Sequence, residues 1–308
     1  MTRGRSSDST AGKRRPAAGP CARIALPPMG AHMSIAGGVD RAIDRARSAG
    51  CTALQIFLKN NNQWRGKPLS PEAIERFRRE IAAGDLAPPV AHAGYLVNLA
   101  GPRLPLLRRS RENLLDDLLR AEQLGVIGVV LHPGAHLGRG EAPAIHQVAD
   151  ELNRLFDRTS ASRVAIYLET TAGQGTSLGY RFEHLRDVID RVAAQDRVAV
   201  CLDTCHVFAA GYDLRNAEAV AATLTGFDRV VGLDRLRFLH FNDSNRELGS
   251  RVDRHAHIGQ GHIGEPGFAA LMREPRLAGL PRVLETPKGE DLAEDRMNLA
   301  TLRRLAGA

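Results

Sequence analysis

Asp203 and His206 stand three residues apart where an apolar run, residues 198–202, gives way to polar chain. A carboxylate that ends a run buried on both faces costs free energy unless a cation neutralises it, and an imidazole one short turn away suggests that the cation is a metal ion. The same ending recurs along the chain. His92 closes the run 88–92, His132 closes 126–132, Glu169 closes 164–169, His240 lies near the end of 236–241, and Glu285 closes 281–285. Imidazoles mixed with carboxylates suit zinc or another divalent transition metal, whereas carboxylates alone would point to magnesium or calcium. Asp253-Arg254-His255 adds a short chelate, because residues two apart share one side of an extended chain, and it pairs naturally with His206. The whole set exceeds what one tetrahedral ion accepts, so more than one ion is expected. His257 continues the alternation and could substitute as a ligand, while His262 reads as surface.

The elements that must position these groups repeat one unit: a short apolar run, a Gly-rich or polar loop, then an amphipathic helix. The remaining runs are 24–32 and 52–57, and helical periodicity fills 39–49, 71–83, 103–124, 142–158, 181–194, 215–231, 265–273 and 290–305. Ser70 as N-cap, Pro71 in the first turn and Gly84 beyond the end mark the second helix, and Gly50 and Gly125 close two others. Strands alternating with helices in this number predict an α/β fold, a single-domain (β/α)₈ TIM barrel over residues 24–308, whose strand ends converge at the C-terminal mouth. A doubly wound open sheet is the alternative, but no G-x-G-x-x-G follows a strand. Pro27 and Pro28 interrupt the first run.

Of the 308 residues, 43% are hydrophobic and 25% charged, ordinary for a soluble globular protein, and no apolar run approaches the roughly 20 residues of a membrane span. Residues 1–23 carry Arg3, Arg5, Lys13, Arg14, Arg15 and Arg23 against Asp8 alone, so most of the net charge of +7 sits in a Ser-, Gly- and Pro-rich stretch read as a disordered tail. An inert tail, a non-specific nucleic-acid arm and a targeting segment compete there. The rest is only mildly basic, and net charge is poor evidence for nucleic-acid binding. Cys21, Cys51, Cys201 and Cys205 have no disulfide or zinc-knuckle spacing, which favours a reducing, cytoplasmic setting.

Two loops suggest a large substrate. Residues 59–65 are polar and hold the chain's single Trp, Trp64; residues 93–98 expose Tyr95 and Leu96 beside the His92 run. Such side chains stack on bases or wedge into a duplex.

With these residues assembled, the chain resembles the endonuclease IV family, the zinc-dependent apurinic/apyrimidinic endonucleases, from about Gly30 to Glu285. The likeness is carried by Gly30-Ala-His-Met-Ser-Ile-Ala-Gly-Gly38, Lys59-Asn60 with Gln63-Trp64, and His92 through Tyr95-Leu96-Val-Asn98. His132-Pro-Gly-Ala-His136, Glu169-Thr-Thr-Ala-Gly-Gln-Gly175, Cys201-Leu-Asp-Thr-Cys-His206 and Gly211-Tyr-Asp213 also match. So do His240-Phe-Asn-Asp243 and Gly249-Ser-Arg-Val-Asp-Arg-His255. The resemblance implies three zinc ions. One would take His92 and His132 and share Glu169; a second would take Glu169, Asp203, His240 and Glu285; a third would take His206, Asp253 and His255. It further implies a DNA-repair phosphodiester hydrolase, acting on duplex DNA that contains abasic sites and needing no obligate protein partner. Glu169 would be the catalytic carboxylate, and Tyr95, Leu96, Asn62, Gln63 and Arg254 would contact DNA. Asn62 stands where the family often has Arg, which keeps a hydrogen bond to phosphate but adds no charge; Gln260 replaces a frequent Glu. A metal-dependent sugar isomerase on a similar barrel, and a lesion binder without catalysis, are the rival readings.

Overall fold

The computed structural model describes residues 1–2 and 26–307. Eight parallel strands close a barrel: β1 Met29–Met33, β2 Ala53–Phe57, β3 Val90–His92, β4 Gly128–Leu131, β5 Ala165–Glu169, β6 Val198–Asp203, β7 Leu236–His240 and β10 Arg282–Leu284. Around it lie α1 Arg41–Ser48, α2 Pro71–Ala82, α3 Leu104–Leu124, α4 Glu141–Arg158, α5 Phe182–Ile189, α7 Ala217–Val230, α8 Gly264–Arg273 and α9 Ala293–Ala306. β8 Asp243–Ser244 and β9 His255–Ala256 pair antiparallel as a ribbon within the loop after β7. A short helix, α6 Thr204–Ala210, follows β6 directly. None of the helices among the described residues is long and apolar enough to cross a membrane.

Two packed layers hold the barrel together. Leu, Ile, Val and Phe side chains of the strands and helices form one continuous layer between them, including Ile56, Leu131, Leu168, Val200, Leu239 and Leu284. The interior of the barrel is a separate cluster of Ala53, Val90, Val130, Tyr167, Ala199, Cys201, Phe238 and Val283. Tyr167 is the large member, and room for it comes from Gly128 on the neighbouring strand, where an added Cβ would lie 2.6 Å from the Tyr167 ring. Cys201 is therefore a packing residue here.

The interior cluster explains the position of the chemistry. Side chains alternate along a strand, so the residue two beyond an interior residue also points inward, one level nearer the mouth. Val90 is followed in this way by His92, Val130 by His132, Tyr167 by Glu169, Cys201 by Asp203, Phe238 by His240 and Val283 by Glu285. Strand register completes the ring, with Asp203 opposite His240 and Glu169 opposite Cys201.

Several expectations need adjustment. The first strand begins at Met29 rather than at residue 24, just past Pro27 and Pro28, whose missing N–H groups cannot join a ladder. Most of the tail 1–23 lies outside the described residues. The fifth helix ends at Ile189, five residues before the expected end. The turn between Asp203 and His206 is the start of α6: Asp203 is its N-cap and its Oδ1 accepts from the His206 N–H at 2.8 Å.

Candidate metal centre

Glu169 is fully buried and lies at the centre of the mouth. Its Oε2 is 3.0 Å from His92 Nε2 and 2.9 Å from His132 Nε2. Its Oε1 is 2.9 Å from His240 Nδ1 and 3.3 Å from His206 Nδ1. The donors fall into three groups, each with its atoms within 4.8 Å of one another: His92, His132 and Glu169; Glu169, Asp203, His240 and Glu285; His206, Asp253 and His255. A further grouping joins Asp203 and His255 to Cys205, but burial pushes the Cys205 thiol up to about 12, which keeps it protonated near neutrality.

Ring orientation is set from behind. His92, His206 and His255 each place Nδ1 on a main-chain carbonyl, of Ala93 at 2.7 Å, Thr170 at 2.8 Å and Glu285 at 3.0 Å. A carbonyl only accepts, so Nδ1 carries a hydrogen and Nε2 is the nitrogen that would ligate an ion. Asn242, which is fully buried, ties two carboxylate ligands together: its amide nitrogen donates to Asp203 Oδ2 at 2.6 Å and its oxygen accepts from the Glu285 N–H at 2.7 Å.

The electrostatics call for a cation. Burial alone would raise Glu169 and Glu285, yet neighbouring histidines hold both well below the usual carboxylate range. Burial opposes protonation of His92 and His255, but Glu169 and Asp253 respectively carry them up to about 9. Three buried or half-buried carboxylates, Glu169, Asp253 and Glu285, thus stay ionised beside positive charge. His255 Nε2 is buried with no hydrogen-bond partner among the described residues, although it faces Asp253 and Asp203 at 3.3 and 3.8 Å. Divalent ions held by these donors would meet both demands, and the mixed imidazole and carboxylate set fits zinc.

The expected DNA-contacting residues ring the mouth. Tyr95 is exposed, with its ring 5.6 Å from Phe57 and 6.4 Å from His92, and Leu96 beside it is half-buried. Asn62 and Gln63 are exposed on a loop pinned to α3, where Asn113 donates to the carbonyls of Gln63 and Trp64. Lys59, at the base of that loop, is buried against Asp117 of α3 at 2.6 Å. Arg254 is exposed, and its guanidinium donates to the Asp253 carbonyl at 2.6 Å. A pocket lined by Tyr95, Asn98, Gly134, Gly173, Gln174 and Asp253 opens beside the donors. His257 is not among the donor groups: its ring pairs with Asn298 at 3.1 Å, so the alternation that singled it out carries it to α9 instead. His262 is exposed.

Asp243 escaped the sequence reading. It is fully buried and accepts from the N–H groups of Ser244, Gly259, Gly261, Ile263 and Gly264, at 2.7 to 3.2 Å, which folds the Gly-rich loop back under the ribbon. Gly261 was the available signal, because its N–H lies so close to the carboxylate that a Cβ there would sit 2.6 Å from Asp243 Oδ1. At Gly261 an added Cβ would lie 2.4 Å from the Ser244 oxygen.

Comparison with known proteins agrees with this architecture. Residues 43–304 match the family model described as xylose isomerase-like TIM barrel. The chain is 51% identical over 280 residues to the probable endonuclease 4 of Chloroflexus aurantiacus, covering 91% of this chain and 98% of the relative. It is 48% identical over 277 residues to that of Geobacter sulfurreducens, covering 90% and 94%. Among solved structures, endonuclease IV from Thermus thermophilus superposes with a TM-score of 0.81 at 41% identity, covering 91% of this chain and 99% of that one. An L-ribulose 3-epimerase superposes at 0.64 with 17% identity, a likeness of fold alone. The chain belongs to the endonuclease IV family of DNA-repair endonucleases.

Proposed function

We propose that the barrel mouth holds three zinc ions and that the protein hydrolyses the phosphodiester 5′ to an abasic site in duplex DNA, leaving a 3′-hydroxyl and a 5′-deoxyribose phosphate. The observation that carries this reading is the division of the donors into three groups, two of which share Glu169. His92, His132 and Glu169 would hold one ion, Glu169, Asp203, His240 and Glu285 the second, and His206, Asp253 and His255 the third. When bound, zinc supplies Lewis-acid chemistry, lowering the pKa of water toward about 7 and neutralising charge on the scissile phosphate.

The chain's own residues supply the geometry. Glu169 sets the spacing of two sites with its two oxygens and orients the attacking water. Asp203 and His206, one as N-cap and one in the first turn of α6, set the spacing between the second and third sites. Tyr95 and Leu96 fill the space left when the abasic nucleotide leaves the stack, a step made cheaper by the missing base. Asn62, Gln63 and Arg254 touch the sugar–phosphate backbone. The enzyme works in the cytoplasm, where its DNA is, and needs no protein partner.

Incubating metal-replete protein with a duplex containing one abasic site, with and without chelator, tests the reading. Incision to a 3′-hydroxyl that chelator abolishes and zinc restores is the expected result. Absence of incision by metal-replete protein would sink the nuclease reading, and metal analysis finding a single ion per chain would sink the three-ion centre.

A further inference from the structure

Gln55 lies on β2, two residues beyond the interior residue Ala53, and is fully buried at the base of the donor cluster. A primary amide in such a place needs partners for both of its ends. Its Nε2 lies 2.7 Å from Glu285 Oε1 and 2.9 Å from His32 Nδ1, and its Oε1 lies 2.8 Å from His240 Nε2. An ionised carboxylate only accepts, so the amide nitrogen must face Glu285 and the amide oxygen must face His240. The amide oxygen in turn only accepts. His240 Nε2 therefore carries a hydrogen, and Nδ1 is the nitrogen that would ligate an ion. That nitrogen faces Glu169 Oε1 at 2.9 Å, Glu285 Oε2 at 3.2 Å and Asp203 Oδ2 at 3.7 Å.

His240 differs in this from His92, His206 and His255, whose rings are fixed by main-chain carbonyls and present Nε2. Its presented nitrogen is Nδ1, and a side chain fixes it. We propose that Gln55 is a positioning residue for the ion held by Glu169, Asp203, His240 and Glu285: one neutral amide selects the tautomer of His240 and restrains Glu285 Oε1, leaving Oε2 to face the site. An apolar residue at 55 would strand the His240 N–H inside the barrel and leave Glu285 Oε1 with His32 Nδ1, at 3.2 Å, as its remaining partner. A carboxylate there would set two anions against each other at hydrogen-bond distance.

The inference rests on the metal-centre reading, and the experiment separates the two. Metal-replete parent, Gln55→Met and Gln55→Glu proteins are exposed to a chromophoric chelator, and release of each ion is followed, with metal content measured before and after. Met is close to Gln in volume but lacks both hydrogen-bonding ends; Glu keeps an oxygen for His240 and loses the donor to Glu285. In both variants one ion per chain should leave at least about tenfold faster than in the parent, the usual scale for losing a group that holds a ligand, while the other two leave at parental rates. The metal-free forms should melt only a few degrees below metal-free parent, the scale set by one or two stranded polar groups. Release within twofold of the parent in Gln55→Met would mean that Gln55 only fills space, which overturns the inference alone. Faster release of all three ions with a metal-free form destabilised well beyond that scale would also overturn it. A parent protein that holds no ion overturns the metal-centre reading and the inference with it.

Discussion

Glu169 shows why a single side chain can govern the whole site. Its two oxygens reach four histidines at 2.9 to 3.3 Å, so it belongs to two donor groups at once. Replacing it with Gln keeps the size and one oxygen but removes the charge and puts an NH₂ group, which cannot ligate an ion, in place of one of the two donor oxygens. Glu169→Gln should cut incision by more than about 10²-fold, beyond the usual range for groups that merely hold a ligand, while binding to an uncut abasic duplex stays within a few-fold of parent. Fluorescence anisotropy on the duplex and a gel incision assay check both halves; activity within a few-fold of parent would defeat the assigned role. The nine proposed ligands were legible in the sequence because each is an ionisable residue at the end of an apolar run, one short turn beyond it, or in a D-x-H pair. His32 and Gln55 were not, although they obey the same alternation. Pro27 and Pro28 obscured the phase of the first strand, and a glutamine inside an apolar run draws no attention as metal chemistry.

At the scale of elements, the strand–loop–helix rhythm was readable almost throughout, because a short continuous apolar run gives way after each loop to a helical period of 3.6. α6 was hidden: its seven residues, Thr204–Ala210, are buried except for half-buried Ala210, and so show no amphipathic period. The loop after β7 was legible as ligand-bearing but not as a ribbon, since pairs as short as Asp243–Ser244 with His255–Ala256 carry no alternation of their own. What folds that loop is Asp243. Changing it to Asn presents an NH₂ group to N–H groups that need an acceptor, each of which costs about 1–3 kcal/mol if left unpaired and buried. Asp243→Asn should therefore lose about 3–5 kcal/mol of stability, measured by denaturant unfolding, and weaken retention of the ion assigned to Asp253 and His255. Unchanged stability would show that the loop holds its shape without the carboxylate.

For the whole molecule, the buried carboxylates would make the proposed ions part of the fold. Ligands that bind only the folded state stabilise it by about 4 kcal/mol at a thousandfold excess over Kd, and a barrel of this size shifts by about 2–4 °C per kcal/mol. Chelator should lower the melting temperature by more than about 5 °C in differential scanning calorimetry, and zinc should restore it; coincident melting curves would argue against resident metal. Charge acts at this scale too. With Asn62 in place of a frequent Arg, the proposed DNA-binding mouth would make one fewer ionic contact with phosphate. Asn62→Arg should tighten duplex binding several-fold at low salt, steepen the dependence of log K on log salt by roughly 0.9, and lose its advantage as salt rises. A salt-independent gain would mean that residue 62 does not contact the backbone.

The Tyr167 ring, seated against Gly128, fills the barrel beneath the donors. The interior is thus a plug, and ions, water and DNA all share one doorway. A duplex lying across that doorway would lock the metals in, so saturating, uncut abasic DNA should slow their loss to chelator in proportion to its occupancy. The substrate would then act as the stopper that keeps the catalyst charged while it works.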